Sequence, residues 1–365
     1  MENKFKDKRI LVAPLDWGLG HASRCIPVIQ ELVAQGAQVI IGADKQPMKL
    51  LKNEFPDCEA VRVPGMNISY PKHLSMSTFM ALKAPHFFQT ISKEQENLKL
   101  IVENYKIDGV ISDNRYGLYN KDKPSILITH QLFIQAPIFK NLLKKLTAKY
   151  ISKYYCCWIP DIQGENNLSG ILSHQSTNLK NLRFVGPLSR FMNHQNDSSK
   201  NQKFKRELMI VLSGPEPTRS QFEKLILNQL KHLDIEALLV RGIVENSPSK
   251  KLNKKGKIQV KNHLSSKEML QEIQDSEIIL CRSGYSSVMD LAVINKKAII
   301  VPTNGQTEQE YLAKHLSNNK FLYSTTEKDL NLTLDIKKAK KYNGFNMSFN
   351  QSMLKEAVYD FLKQC

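Results

Sequence analysis

The chain has 365 residues, of which 41% are hydrophobic and 24% are charged, so it is globular and too long for one small core. Its 52 lysines and arginines against 35 aspartates and glutamates give a net charge of +17, which predicts an anionic partner: a nucleotide, a phospholipid surface or nucleic acid. The first eight residues are charged, which does not fit a signal peptide. The sequence has no run of the ~20 apolar residues that a membrane span needs, so we expect none. Six cysteines without a C-x-x-C pair favour reduced thiols in a cytosolic protein.

The first half of the chain alternates between strands and helices. Short apolar runs at residues 9–14, 37–41, 61–63, 109–112 and 125–129 are typical of buried parallel strands, and a helix ending near Gly36 separates the first two. A strand, a helix and a strand in this order indicate a right-handed crossover in a parallel sheet. The stretch from Pro64 to Pro85 has no clean period, which leaves open a long loop over the site and a misread core segment.

Polar side chains follow three of these strands. They are Gly18, Gly20 and His21 after the first run, Asp113 and Arg115 after the fourth, and His130 and Gln131 after the fifth. Because parallel strands end at the same edge of a sheet, these residues predict a ligand cleft there. His21 could serve as general base for a hydroxyl group or simply cap its helix. Ser23 stands where a third glycine would complete a dinucleotide fingerprint, so a nicotinamide or flavin site has weak support.

Residues 136–155 form a basic amphipathic stretch. Five lysines, Lys140, Lys144, Lys145, Lys149 and Lys153, are interleaved with apolar side chains. This pattern fits an anionic membrane surface, and it fits a solvated helix face packed on the sheet equally well.

Residues 189–205 are polar and rich in asparagine, which predicts a linker between a first domain, 1–188, and a second domain, 206–345. In the second domain, apolar runs at 209–212, 237–240, 258–260, 277–281 and 298–301 again alternate with helical stretches. We therefore expect two α/β domains with parallel sheets in series. The remaining residues, 346–365, predict an amphipathic helix.

The stretch from Ile278 to Asp290 is central to this second domain. It predicts a buried strand, a turn at Arg282-Ser283-Gly284, and a helix that begins near Ser286. Free backbone N–H groups and the positive end of the helix dipole would form an anion site there. The stretch fits the diphosphate and ribose of a nucleotide, and by itself it fits an ordinary strand-to-helix turn equally well.

Three features together resemble the GT-B glycosyltransferases. They are Gly18-x-Gly20-His21, the stretch from Cys281 to Asp290, and Pro302 followed by the residues from Gln306 to Tyr311. The chain resembles glycosyltransferase family 28 most, a group that includes the enzyme adding N-acetylglucosamine to the lipid-linked peptidoglycan precursor. The resemblance implies the GT-B fold: two Rossmann-like parallel-sheet domains that face a cleft, with the final helix crossing back to the first domain.

The resemblance also implies roles for single residues, with the donor in the second domain and the acceptor in the first. The implied donor-binding residues are Ser213, Gly214, Arg241, His263, Leu264, Arg282, Ser283, Gly284, Ser287, Asp290, Glu308, Gln309 and Glu310. The implied catalytic base is His21, and the implied acceptor-binding residues are Gly18, Gly20, Asp113, Arg115, His130 and Gln131.

The expected reaction moves a hexose or N-acetylhexosamine from a nucleotide sugar, UDP-linked, to an acceptor hydroxyl by inverting displacement. The resemblance implies no essential metal and no cofactor besides the nucleotide-sugar co-substrate. The chain departs from the peptidoglycan enzyme at Asp16-Trp17, at Asp113-Asn-Arg-Tyr116, and at Asp290, which replaces the usual glutamate. The acceptor therefore stays open, with a lipid-linked molecule or an envelope glycan among the candidates.

Two other functions remain open. A nucleotide-sugar 2-epimerase would share the fold but would release an isomerised nucleotide sugar instead of the free diphosphate. A nucleic-acid-binding protein would explain the net charge, but the aromatic residues lie mostly in apolar segments rather than among lysines and arginines, so we expect no nucleic-acid partner. The expected location is the cytoplasm, and the inner face of the cytoplasmic membrane if residues 136–155 bind lipid.

Overall fold

The computed structural model describes residues 4–65, 76–135, 140–194, 204–244, 250–252 and 257–365, and of residues 76–87 and 250–252 it describes the backbone alone. The chain divides into two units. The first comprises Met1–Trp17, His21–Leu188 and Phe349–Cys365, and the second comprises Gly18–Gly20 and Ser189–Ser348. All six cysteines are free thiols.

The first unit contains a seven-stranded parallel sheet in the order β3-β2-β1-β4-β5-β6-β7. Its strands are β1 (Arg9–Pro14), β2 (Gln38–Ala43), β3 (Glu59–Arg62), β4 (Gly109–Asp113), β5 (Ser125–Ile128), β6 (Cys156–Ile159) and β7 (Leu182–Phe184). Strand β1 lies at the centre, where Ile10 pairs with Val39 on one side and Gly109 on the other. Both faces of β1 are buried, because Ile10, Leu11 and Val12 are all fully inaccessible to solvent.

Among the described residues, the α-helices of the first unit are α1 (Leu19–Ala34, from His21 onward), α2 (Lys45–Glu54), α3 (Met76–Tyr105), α4 (Lys140–Ile151) and α10 (Ser352–Leu362). Of the two interpretations left open for the stretch from Pro64 to Pro85, helix α3 excludes a loop for its later part, since the chain is helical from Met76 onward. The rest of that stretch, residues 66–75, lies outside the described residues, as do residues 136–139 before α4. Helix α10 packs on the first unit through Phe361, whose ring contacts Trp158 edge-to-face.

The second unit repeats the architecture with a sheet in the order β10-β11-β9-β8-β12-β13-β14. Its strands are β8 (Arg206–Val211), β9 (Ala237–Val240), β10 (Lys250–Leu252), β11 (Ile258–Lys261), β12 (Ser276–Cys281), β13 (Ala298–Ile300) and β14 (Tyr323–Ser324). Strand β10 pairs antiparallel with β11, and the other pairings in this sheet are parallel. The prediction of two parallel-sheet α/β units is confirmed.

The helices of the second unit are α5 (Thr218–Leu230), α6 (Ser266–Gln274), α7 (Tyr285–Val293), α8 (Thr307–Asn318) and α9 (Leu332–Ala339). Helices α5 and α9 pack on the sheet through buried side chains that include Phe222, Ile226 and Ile336. Helix α6 begins with a capping box, in which Ser265 and Glu268 satisfy each other's backbone N–H groups. Within the described part of the chain, no helix is both long and apolar enough to cross a bilayer.

Candidate functional site

The predicted donor-binding residues follow the carboxyl ends of strands in the second sheet. Because β8, β9, β11, β12 and β13 run parallel, these ends meet at one edge. Ser213 and Gly214 follow β8, Arg241 follows β9, His263 and Leu264 follow β11, Arg282, Ser283, Gly284, Ser287 and Asp290 follow β12, and Glu308, Gln309 and Glu310 follow β13. A strand-end edge of this kind is where open α/β sheets bind ligands.

Ser283 joins two of the loops at this edge. Its buried hydroxyl donates to the backbone carbonyl of Gln309 at 2.8 Å, which ties the turn after β12 to the first turn of α8. In the loop after β13, side-chain oxygens accept hydrogen bonds from the loop's own backbone. Thr303 N donates to Gln309 Oε1 at 2.9 Å, and Gly305 N donates to Glu310 Oε1 at 2.8 Å. The Ser283 bond joins the turn after β12 to α8, and the other two bonds fix the shape of the loop 303–310.

Asp290 lies on α7, and its carboxylate contacts the residues that follow the first domain. Ser189 Oγ donates to Oδ1 at 2.6 Å, and Arg190 Nε lies 3.6 Å from Oδ2. Burial raises the pKa of the Asp290 carboxyl, while Arg190 and Ser189 oppose that rise. A carboxylate has lone pairs beyond these two contacts, so the predicted hydrogen bond to ribose stays a prediction.

The predicted role of Arg282 is revised. Its side chain is 2% exposed, Nη1 pairs with Glu327 Oε1 at 2.7 Å, and the guanidinium carbon lies 3.8 Å from the centre of the Phe222 ring. Nη2 is buried and has no hydrogen-bond partner among the described residues. Burial lowers the pKa of Arg282, and Glu327 works against that shift. In this position Arg282 stabilises the turn through its contacts with Glu327 and Phe222, and its guanidinium does not face the surface where a diphosphate would bind.

Arg241 takes part in an ion-pair network. Its Nε donates to Glu223 Oε1 at 2.7 Å, and the other carboxylate oxygen of Glu223 accepts from Arg219 Nη1 at 2.7 Å. The next residue, Gly242, has φ +69°, and a Cβ there would lie 2.4 Å from the carbonyl oxygen of Leu212. Glycine is therefore required where the loops after β8 and β9 approach each other.

The remaining donor-side predictions differ in exposure. Leu264 is 2% exposed, so it is part of the core and can offer little surface to a base. Ser213, His263 and Ser287 are half-buried. Gly214 has φ +103°, and no atom lies within 4 Å of where its Cβ would be.

In the first unit, the ends of β1 and β4 bring together His21, Arg24 and Asp113. His21 Nδ1 lies 3.2 Å from Asp113 Oδ2, and Arg24 Nε donates to the same oxygen at 2.7 Å. Arg24 Nη2 donates to Asp113 Oδ1, which completes a bidentate ion pair. His21 is 17% exposed at its side chain while Asp113 is fully buried. Among the described residues, His21 Nε2 has no hydrogen-bond partner.

Asp113 is an anion at neutral pH. Burial raises the pKa of its carboxyl group, but the Arg24 guanidinium and the protonated form of the His21 ring, which donates from Nδ1 to the carboxylate, outweigh burial and lower the pKa from 3.8 to about 2. A buried, ionised carboxylate beside an imidazole is the arrangement that orients a histidine for general-base catalysis.

His130 and Gln131 follow β5, the next strand of the sheet. His130 is buried, and its Nδ1 accepts from Arg24 Nη1 at 3.1 Å. Gln131 is half-buried, and its backbone N–H donates to Thr129 Oγ1 at 3.1 Å. Gly18 and Gly20 stand at the start of α1, where Gly18 has φ +86°.

The predicted role of Arg115 is also revised. Its side chain is fully buried, Nε donates to Glu94 Oε1 at 2.8 Å, and its two Nη atoms donate to the carbonyl oxygens of Val63 and Pro64 at 2.9 and 2.6 Å. All three nitrogens thus hold the protein's own backbone and carboxylate, so Arg115 is a structural residue and not a contact for the acceptor.

Known proteins resemble this chain in both sequence and fold. Residues 219–364 match the glycosyltransferase family 28 C-terminal domain. The UDP-N-acetylglucosamine--N-acetylmuramyl-(pentapeptide) pyrophosphoryl-undecaprenol N-acetylglucosamine transferase of Buchnera aphidicola is 22% identical over 329 residues, which are 86% of this chain and 84% of that protein. The chain is a glycosyltransferase of the GT-B fold with a family 28 C-terminal domain.

Two solved structures illustrate the fold of this glycosyltransferase. Arabidopsis thaliana UGT89C1 complexed with quercetin has a TM-score of 0.60 and 12% identity, covering 97% of this chain and 99% of that one. Acinetobacter baumannii MurG has a TM-score of 0.50 and 14% identity, covering 98% of this chain and 95% of that one. At these identities the likeness concerns the fold alone.

Arg24 is the residue of the glycosyltransferase's candidate site that sequence reasoning missed. It lies in the middle of α1, where arginine side chains usually reach solvent, yet it is 2% exposed. The available signal was its spacing: Arg24 follows His21 by three residues, and residues at i and i+3 share a helix face.

Proposed function

We propose that this glycosyltransferase moves a hexose or N-acetylhexosamine from a UDP-linked donor to an acceptor hydroxyl by inverting, metal-independent displacement. The Buchnera relative named above uses UDP-N-acetylglucosamine, which supports the donor. The observation that carries the proposed chemistry is His21 beside the buried Asp113 carboxylate, with its Nε2 unbonded among the described residues. The epimerase and nucleic-acid alternatives gain no support from these relatives.

The proposed step forms one bond and breaks one. The acceptor oxygen attacks the anomeric carbon of the donor sugar while its proton moves to His21 Nε2. The bond between the anomeric carbon and the diphosphate oxygen breaks, and its electron pair leaves with the nucleoside diphosphate. Backbone N–H groups at the start of α7, from Tyr285 to Ser287, would stabilise the charge on the leaving group, because the guanidinium of Arg282 is turned inward.

The acceptor is proposed to be lipid-linked or part of an envelope glycan. The support is the Buchnera relative, whose name includes a pyrophosphoryl-undecaprenol acceptor. Helix α4 adds support for a membrane-associated enzyme in the cytoplasm, since Lys140, Lys144, Lys145 and Lys149 are all exposed and Leu142 beside them is 53% exposed. Such a face suits an anionic lipid surface.

The proposed function is tested in the variant His21→Ala by measuring UDP binding and sugar transfer separately. UDP should raise the melting temperature of the wild type and the variant equally, because a ligand that binds the folded state stabilises it. GDP and TDP serve as comparison ligands. Sugar transfer in the variant should fall by about 100-fold or more, the usual contribution of a general base.

His232→Ala is the matched control, since His232 is an exposed histidine on the second unit. Near-normal transfer by His21→Ala at saturating substrates would refute the base assignment, and the absence of any UDP shift would refute the donor. Accumulation of an isomerised nucleotide sugar without free UDP would identify an epimerase instead.

A further inference from the structure

Arg24 contacts three titratable side chains of the first unit's site, which are Asp113, His21 and His130. Besides its bidentate pair with Asp113, its Nη2 lies 2.9 Å from His21 Nδ1, and its Nη1 lies 3.1 Å from His130 Nδ1. Cys25 Sγ is 3.8 Å from Asp113 Oδ2. One buried guanidinium thus connects α1, the end of β4 and the end of β5.

An arginine can only donate hydrogen bonds, and this fixes where the imidazole protons lie. An imidazole nitrogen that faces an arginine N–H must offer its lone pair, so the proton of a neutral ring is on the other nitrogen. For His130, the contact with Arg24 Nη1 puts the lone pair on Nδ1 and the proton on Nε2.

His21 Nδ1 has two neighbours that make opposite demands. Arg24 Nη2, at 2.9 Å, requires a lone pair there, whereas Asp113 Oδ2, at 3.2 Å, would prefer an N–H. A proton on Nδ1 would face the Arg24 N–H at the shorter of these distances, and Asp113 already accepts two charge-assisted bonds from Arg24. The arrangement therefore favours a lone pair on Nδ1 and a proton on Nε2.

We propose that Arg24 is a positioning residue that holds His21 in the tautomer with its proton on Nε2, so that His21 becomes a base only when Arg24 Nη2 withdraws. This inference rests on the proposed role of His21. In the held form Nε2 donates hydrogen bonds and cannot take a proton from an acceptor hydroxyl.

In the change of tautomer the His21 ring loses one proton from Nε2 and gains one at Nδ1, so its charge does not change. The Nε2 proton leaves to water, which reaches the ring because the His21 side chain is 17% exposed. Nδ1 gains a proton from water and donates it in a hydrogen bond to Asp113 Oδ2. Nε2 then carries the lone pair that accepts the proton of the hydroxyl.

The test is nitrogen-15 NMR of histidine-labelled, full-length protein without substrates, at a pH where the His21 ring is neutral. The sequence has nine histidines, and a His21→Gln spectrum identifies the His21 signals by their loss. In the wild type the directly bonded proton should be on Nε2. In Arg24→Gln it should move to Nδ1, because Asp113 is then the remaining hydrogen-bonding group at that nitrogen.

Arg24→Lys provides a second variant in case the glutamine leaves Asp113 too poorly paired for folding. Its ammonium keeps the charge beside Asp113 but lacks the planar fork that reaches His21 at the same time, so it too should move the proton to Nδ1. Arg115→Lys is the matched control, because Arg115 is an equally buried arginine near the end of β4 that pairs with Glu94 and should leave His21 unchanged.

A wild-type spectrum with the proton on Nδ1 overturns the proposal outright, and so does an unchanged tautomer in a folded Arg24 variant. Neither result depends on turnover. If His21→Ala transfers sugar normally while the tautomer moves as expected, the base assignment fails and the action of Arg24 on the His21 ring stands.

Discussion

At the scale of single residues, Asp113 contributes both to the site and to the stability of the first unit. Its carboxylate is fully buried and holds two nitrogens of Arg24. Removing one partner of such a pair leaves the other charge buried without compensation, which costs more than the pair contributes. We therefore expect the site to tolerate Asp113→Asn better than Asp113→Ala, because the amide oxygen can still accept one bond from Arg24.

The stability that Asp113 provides should depend on pH. Its pKa is lowered from 3.8 to about 2 in the folded protein, so its contribution is present above the unfolded pKa and is lost as the pH falls through the folded one. The shift corresponds to about 2 kcal/mol, of which roughly half should be gone at pH 3. Urea unfolding at pH 6 and pH 3 should show this loss in the wild type and not in Asp113→Asn. An equal loss in both proteins would contradict the assignment.

The positions of these residues after strands could be predicted from the sequence, but the directions of their side chains could not. His21, Asp113 and His130 each follow a recognisable apolar run, so their convergence at one sheet edge could be inferred from parallel pairing alone. Arg115 and Arg282 follow strands in the same way but point into the protein, where Glu94 and Glu327 pair with them. Position along a strand locates the backbone, and the inward or outward direction of a long side chain depends on partners distant in sequence.

At the scale of elements, the bond between Ser283 and α8 should matter for the nucleotide. Ser283→Ala removes the hydroxyl that ties the turn after β12 to Gln309, at a cost of about 1 kcal/mol in stability. Because this tie sets the position of the loop 303–310, UDP should bind several-fold more weakly by calorimetry.

Ser317→Ala is the control, since Ser317 lies at the other end of α8 and its hydroxyl pairs with Tyr342. It should lower stability to a similar extent and leave UDP affinity unchanged. An equal loss of UDP affinity in both variants would show that the Ser283 contact has no special role.

Helix α4 gives a prediction about lipid. Changing Lys140, Lys144, Lys145 and Lys149 to glutamine should reduce sedimentation with anionic vesicles by about 100- to 1,000-fold, because each lysine near such a surface contributes about 1 kcal/mol. The control replaces four exposed lysines of the second unit, Lys314, Lys328, Lys337 and Lys341, and removes the same charge. If both variants lose binding equally, net charge alone is responsible and the α4 face is not the docking surface.

The elements that could be predicted from the sequence are those with an unambiguous period. Buried parallel strands such as β1 and β12 are continuous apolar runs and were located within two residues. Strand β6, Cys156–Ile159, was not predicted, because its run contains a single β-branched residue and no turn residue separates it from the amphipathic stretch before it. Helix α3 was not predicted, because the stretch from Pro64 to Pro85, in which it begins, has no clean helical period.

At the scale of the whole molecule, α10 is expected to stabilise the first unit and not the second. Phe361 is 1% exposed, contacts Trp158, and lies so close to Gly109 that a Cβ there would be 2.6 Å from the ring. Phe361→Ala should cost about 3–5 kcal/mol. Hydrogen exchange should then quicken in β4, β5 and β6 while β8 and β12 keep their protection.

Tyr359→Ala is the control on the same helix, because Tyr359 is 40% exposed and its removal leaves no core cavity. Faster exchange in both sheets of the Phe361 variant would mean that the two units unfold cooperatively, which would contradict the prediction that α10 stabilises the first unit and not the second.

The return of α10 to the first unit has a consequence for synthesis on the ribosome. Residues 9–188 emerge long before residues 349–365, which complete the packing around Trp158. The sheet of the second unit, from β8 to β14, is contiguous in sequence and can form while the last helix is still inside the exit tunnel. The domain translated first is thus completed last, and the residues around Gly109 and Trp158 stay uncovered until α10 has left the exit tunnel.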